Sequence, residues 1–258
     1  MYNVSNKLGI YKAIDFPRYF DPPNFFPFNI KCYDSDNFAD YDSPDRFLKN
    51  KEKMPADWHY VSKEIVYNTN ENGYRTLEWK EINWQESVVI FGCSNTTGIG
   101  LAEDETISGQ LEKIIGRPVI NMGVPASSID HAFYNSIILS EYYPTPYAVV
   151  QLWTTLERCT NFHDATAERC GMWTPENSYY KAFVQNDYHP LMQAKFISMA
   201  SKNLWKEKCK YYAASFFDRT AHYLECDYVH IDNQARDLLH PGRNNARDMA
   251  TLISSNIS

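Results

Sequence analysis

The sequence predicts an α/β fold with a central, mostly parallel sheet, and three observations predict it. Residues 87–92 form a continuous apolar run of strand length that ends abruptly in a small, polar loop. Two further strand-like runs follow, at 118–123 and 147–153. The segments between them, 104–116 and 127–143, repeat apolar residues at helical spacing. Strands that alternate with helices read as βαβ units on a parallel sheet, in which sites form at the carboxyl ends of strands.

Each element has its own signals. The helix over 104–116 has an acidic start and a glycine stop, and the one over 127–143 opens on the cap-type residues Ser127 and Ser128. Pro190 sits near the start of a helical stretch over 189–210, and residues 211–217 read as a fourth parallel strand. Residues 242–257 read as a closing amphipathic helix. Residues 154–190 are less regular and read as an extended loop region, with Trp173, Pro175, Tyr179 and Tyr180 placed to wall one side of a site.

The first 63 residues differ in character. Residues 16–28 pack aromatics and prolines into a stretch that cannot be helical, so residues 1–63 are expected to be an extended arm. Residues 64–258 would form the α/β domain. It would lead with a β-hairpin, because Asn72-Gly73 is a favoured tight-turn pair between alternating stretches.

Composition narrows the function. At 258 residues, with 44% hydrophobic and 22% charged side chains, the chain can bury one good core. The net charge of −7, with no basic cluster, argues against nucleic acid or an anionic membrane as a partner. No apolar run spans a bilayer, and the start of the chain lacks a secretory pattern. The six cysteines, at 32, 93, 159, 170, 209 and 226, show no Cys-x-x-Cys and read as free thiols in a reducing, cytoplasmic setting. The seven scattered histidines, His163 and His230 included, offer no metal site, and Gly98-Ile99-Gly100 lacks the lysine and spacing of a phosphate loop. No cofactor is expected.

What remains is a nucleophile and its base. Ser94 directly follows the first strand, and Asp237 and His240 stand three residues apart before the last helix. A serine hydroxyl needs a base to take its proton as it attacks, and imidazole titrates in the right range. A carboxylate must then hold that imidazole in one tautomer. His240 is the expected base and Asp237 its orienter, with Pro241 and Gly242 breaking the backbone just after them. A Gly-x-Ser triplet or an Asp-x-x-His pair alone marks a turn or a cap; their positions along the chain give them chemical meaning.

These residues also carry a resemblance. Gly92-Cys93-Ser94-Asn95-Thr96 resembles the first block of the SGNH, or GDSL-like, hydrolases, and the match runs on through Gly98-Ile99-Gly100, Glu105-Thr106 and Gln110-Leu111. Asn121-Met122-Gly123 resembles the second block, and Asp237-Leu238-Leu239-His240-Pro241 the last. Upstream, Asn70 to Arg75 is similar to an Asn-x-x-Gly-aromatic-Arg stretch found before the first block. The resemblance covers roughly residues 66 to 258. It implies a flavodoxin-like, three-layer α/β/α fold and a serine esterase that cleaves carboxylic esters, such as acetyl groups on a carbohydrate, through an acyl-enzyme. The oxyanion would be held by the N–H groups of Ser94 and Gly123 and by the residue at the third-block asparagine.

Two departures stand out. Cys93 replaces the aspartate of Gly-Asp-Ser, and the third block reads Trp153-Thr154-Thr155-Leu156, so that Thr155 takes the asparagine's place. Losing one oxyanion donor typically costs about 2.7–4 kcal/mol, which slows an enzyme more than it silences one. A catalytically degenerate binding module and an acyltransferase with the same triad are the alternatives. Cys93, at the end of an apolar strand, reads as a small buried core residue.

Overall fold

The computed structural model describes residues 38, 39, 41–163, 166–186 and 188–258. The aromatic stretch 16–28, Cys32 and Asp164 lie outside them.

Five strands form the central sheet: β1 (Val88–Gly92), β2 (Val119–Gly123), β3 (Ala148–Trp153), β6 (Lys210–Ser215) and β7 (Asp227–Tyr228). Their order is β2-β1-β3-β6-β7, with every neighbouring pair parallel. In chain order this is 2-1-3-4-5, the flavodoxin-like arrangement. The strands β1, β2 and β3 are buried along their whole length, as their unbroken apolar runs require of a sheet covered on both faces.

Helices cover both faces. On one, α3 (Ile107–Ile115) and α8 (Arg243–Ile257) pack together over β2 and β6; on the other, α4 (Ile129–Tyr142) and α6 (Tyr188–Trp205) pack over β1 and β6. The helix predicted over 104–116 starts at the cap Thr106, whose hydroxyl accepts from Gly109 N–H, and stops at Gly116 in the left-handed region. Ser128 caps α4 in the same way. A short helix, α7 (Asp218–Leu224), joins β6 to β7.

Three sequence expectations change. No strand ladder forms in residues 62–84. Asn70 Oδ1 instead accepts from the N–H groups of Asn72 and Tyr74, each at 3.0 Å, and folds the segment into a local turn. The side chain satisfies the backbone locally, so the turn needs no paired strands. Residues 154–190 are not an irregular loop: they carry an antiparallel hairpin, β4 (Cys159–His163) and β5 (Thr166–Cys170), and the helix α5 (Ser178–Val184). The described part of the N-terminal region, expected to run extended, contains the helix α1 (Pro44–Lys53), capped by Ser43.

Candidate active site

The crevice of a doubly wound sheet opens where the strand order reverses, here between the carboxyl ends of β1 and β3. Ser94 stands at that point. It is the first residue of the short helix α2 (Ser94–Thr97) and is 6% exposed. As the first residue of a helix it has no intrahelical acceptor for its N–H, and no other partner takes it among the described residues.

Two close approaches hold α2 in place. A Cβ on Gly123 would lie 2.4 Å from Thr97 N, so only glycine lets the end of β2 approach that helix. Asn121 on β2 donates to Thr96 O at 2.9 Å and to Ser108 Oγ at 3.2 Å, clamping α2 from below. Cys93, the residue before the helix, is buried as expected.

The Asp237–His240 pair is assembled separately. His240 Nδ1 lies 2.6 Å from Asp237 Oδ2, while Asp237 Oδ1 accepts from the N–H groups of Leu239 and His240 at 3.1 Å each. Burial pushes the Asp237 carboxyl upward, but these bonds and the nearby imidazole outweigh it and hold its pKa below 3.8. An ionised Asp237 fixes the His240 proton on Nδ1 and leaves Nε2 with its lone pair. The exposed Tyr41 ring lies beside the imidazole, with centroids 6.3 Å apart. Among the described residues no hydrogen bond joins Ser94 to His240; such bonds often tighten only with substrate present.

The loop that carries Asp237 and His240 is latched to the rest of the molecule. Arg236 Nη2 and Nε reach the carboxylate of Asp42 at 2.7 Å and 3.0 Å, and Tyr67 donates to the same carboxylate at 2.6 Å. Asn50 of α1 donates to Arg236 O. Gly100, in the left-handed region at φ 77°, accepts from Arg236 N–H at 3.1 Å. A Cβ there would sit 2.9 Å from Ala235 Cβ and 3.0 Å from Arg236 N. Beyond His240, His59 Nε2 lies 2.5 Å from Glu105 Oε1, and Arg243 at the start of α8 reaches His59 Nδ1 at 3.0 Å.

The fully buried Arg75 secures the side of Ser94. It donates to the carbonyls of Gly98 at 2.9 Å and of Leu101 and Val66 at 3.0 Å. The Asn-x-x-Gly-aromatic-Arg stretch is therefore a turn that aims an arginine at the carbonyls just after α2.

The oxyanion expectation is revised in part. Gly123 N–H already donates to Asn121 Oδ1 at 3.0 Å. Three residues on, Ala126 holds φ at 61° without being glycine, and its N–H makes no hydrogen bond among the described residues. Its loop is tied to the residue before Cys93: Val124 N–H and the Ser127 hydroxyl both donate to Gly92 O at 3.0 Å. A non-glycine residue at a left-handed φ is strained, which makes the Ala126 amide a candidate oxyanion donor. The sequence hides it, because alanine does not announce a positive φ.

At the end of β3, Thr155 is half-buried. Thr154 is buried and its Oγ1 has no hydrogen-bond partner among the described residues, while its carbonyl accepts from the Thr220 hydroxyl at 3.0 Å. Gln151, Trp153 and Arg158 also leave buried polar atoms without a hydrogen bond. Arg158, Asp130 and Gln193 line a small cleft here together with Ile129, Leu156 and Phe183. Among the described residues, no group of three or more metal-ligating side chains converges, and no helix is long and apolar enough to cross a membrane.

No family model matches this chain, and no curated protein does. Solved structures do resemble it. A member of the lipolytic protein G-D-S-L family from Veillonella parvula is 12% identical, covering 66% of this chain and 96% of that one, with a TM-score of 0.39. A psychrotrophic esterase from Pseudoalteromonas sp. is 11% identical, covering 67% and 97%, at 0.41. An acetyl xylan esterase from Butyrivibrio proteoclasticus is 9% identical, covering 67% and 63%, at 0.40. The fold assignment rests on the strand order and the two helical layers.

Proposed function

We propose that this protein is a serine ester hydrolase acting through an acyl-enzyme on Ser94. The observation that carries the reading is the Asp237–His240 pair: the carboxylate holds the imidazole by Nδ1, so that Nε2 is left to take a proton. Ser94 Oγ would attack the ester carbonyl while its proton passes to His240 Nε2. The developing oxyanion would be met by the N–H groups of Ser94 and Ala126, and by a hydroxyl from Thr154 or Thr155 in place of an asparagine. His240 would return the proton to the departing alcohol, and water would repeat the sequence to release the acid.

Substrates of small acyl size on a carbohydrate suit the wall beyond β3. There Phe162, Trp173 and Tyr179 keep exposed rings on which a sugar can stack. The second reading, a binding module of the same fold, is favoured by one feature: Ser94 and His240 share no hydrogen bond.

A serine-directed fluorophosphonate separates the two. A single adduct on Ser94, absent in His240→Ala, is the expected result. A folded protein that takes no adduct sinks the esterase reading.

A further inference from the structure

The hairpin β4–β5 places Cys159 directly opposite Cys170. Both are fully buried, and they form one small cluster with Phe183. Both are free thiols in the structure. Facing residues of an antiparallel pair have Cα atoms about 4.5–5.5 Å apart, inside the roughly 4.4–6.8 Å span of a disulfide. We infer that Cys159 and Cys170 are a built cross-strand site for a disulfide, closed by thiol–disulfide exchange with a low-molecular-weight disulfide such as oxidised glutathione.

The position gives the bond something to hold. Next to Cys159, Thr160 N–H donates to Asp130 Oδ2 at 3.1 Å, and its hydroxyl lies 2.5 Å from Ser128 Oγ. Next to Cys170, Arg169 donates to Pro125 O at 2.5 Å, one residue before Ala126. Both strands of the hairpin therefore grip the loop 125–130, and a crosslink between them would staple that grip. The proposal stands apart from the esterase reading, since the crosslink is read chemically.

The exchange balances without a further reactant. One cysteine thiolate attacks a sulfur of glutathione disulfide, whose S–S bond breaks and expels one glutathione thiolate. The second cysteine thiolate then attacks the protein sulfur of the mixed disulfide and expels the other. Two protein thiols are oxidised, one glutathione disulfide is reduced to two thiols, and the two protons pass to them. Burial pushes the Cys159 thiol up to about 12 and raises Cys170 as well, so exchange belongs to the folding chain or to local opening rather than to the closed native state.

The test refolds the full chain from reduced, denatured protein in a reduced/oxidised glutathione buffer, and in dithiothreitol alone. After alkylation in denaturant, non-reducing peptide mapping reads the pairing. The expected result is a Cys159–Cys170 linked peptide, with a Tm about 5–10 °C above that of the reduced protein. In Cys159→Ala/Cys170→Ala the redox dependence of Tm should vanish. A native product in which both cysteines stay alkylatable, or in which either is joined to another cysteine or to glutathione, overturns the inference. So does a crosslink that lowers Tm. Should refolding yields be poor, the same map on folded protein held near its Tm with glutathione disulfide reads the same pair by the same criteria.

Discussion

The two sides of the crevice between β1 and β3 differ in how completely their buried polar groups are paired. On the side of Ser94 and His240, the buried ions reach partners: Arg75 is spread over backbone carbonyls, Arg236 and Tyr67 close on Asp42, and Asp237 accepts from His240 and two amides. On the side of β3, Gln151, Trp153, Thr154 and Arg158 carry buried polar atoms that no described residue satisfies; on the other side Thr96 Oγ1 and Glu105 Oε2, beside the described loops, stand so. Buried polar groups are normally paired, because an unpaired one costs about 1–3 kcal/mol. The difference teaches where the molecule is preorganised and where it still has bonds to make. The Asp237–His240 pair is fixed in advance, and under the proposed function the side with spare donors is where a polar substrate would complete the network.

The strongest way to break the comparison is to remove the fixed machinery. Ser94→Ala and His240→Ala should each lower kcat on a responsive ester by about 10⁶, and the double variant should be no worse than either. Additive losses in the double variant would mean that the two residues do not act as one unit.

Asp237→Asn should follow with a loss of about 10⁴, since an amide no longer sets the imidazole tautomer. It also carries a pH signature. The folded pKa of Asp237 lies below the ordinary 3.8, so its contribution to stability is full above that value and fades as pH falls through the folded one. Tm measured against pH should drop less steeply below 3.8 in Asp237→Asn than in the parent. Parallel curves would show that the carboxylate is not held as described.

The latch comes next. Asp42→Ala leaves the buried Arg236 charge without its partner and should cost about 3–5 kcal/mol, read by urea unfolding. The conservative Tyr67→Phe removes one donor to Asp42 together with the acceptor of the buried Gly100 N–H, and should cost about 1–3 kcal/mol. Equal costs would mean that the ion pair does not anchor the His240 loop. Gly100→Ala tests the other contact between the two loops. A left-handed φ and a 2.9 Å approach to Ala235 together predict a loss of about 2–3 kcal/mol.

These latches explain which parts of the molecule were legible from its residues. The strands β1, β2 and β3 and the helices α3, α4, α6 and α8 announce themselves because burial on both sheet faces and helical periodicity leave local traces. The place of Ser94 after β1 and the pairing of Asp237 with His240 were legible for a similar reason, as each sits beside a strand end or a backbone break. Asp42 and Arg236 were not, because 194 positions separate them and neither has a local pattern. The supposed hairpin at Asn72-Gly73 misled because a tight turn can be closed by the Asn70 side chain as well as by two strands. Gly123 was the natural glycine to nominate as an oxyanion donor, yet its amide donates to Asn121 Oδ1, whereas the Ala126 amide three residues on has no partner among the described residues.

The smallest expected change in stability probes the unsatisfied side and sharpens the contrast most. Thr154→Val keeps the shape of the side chain and deletes a hydroxyl that has no partner among the described residues, so the fold should lose nothing and gain up to about 1 kcal/mol. If that hydroxyl helps to hold the oxyanion in place of asparagine, acylation of Ser94 should nonetheless slow by about 10–10². The same change at Thr155, which is half-buried, serves as the comparison. A more stable but slower Thr154→Val enzyme would mean that the spare donor at the end of β3 is retained for the transition state. A more stable variant with an unchanged rate would move that role to Thr155 or to the Ala126 amide alone.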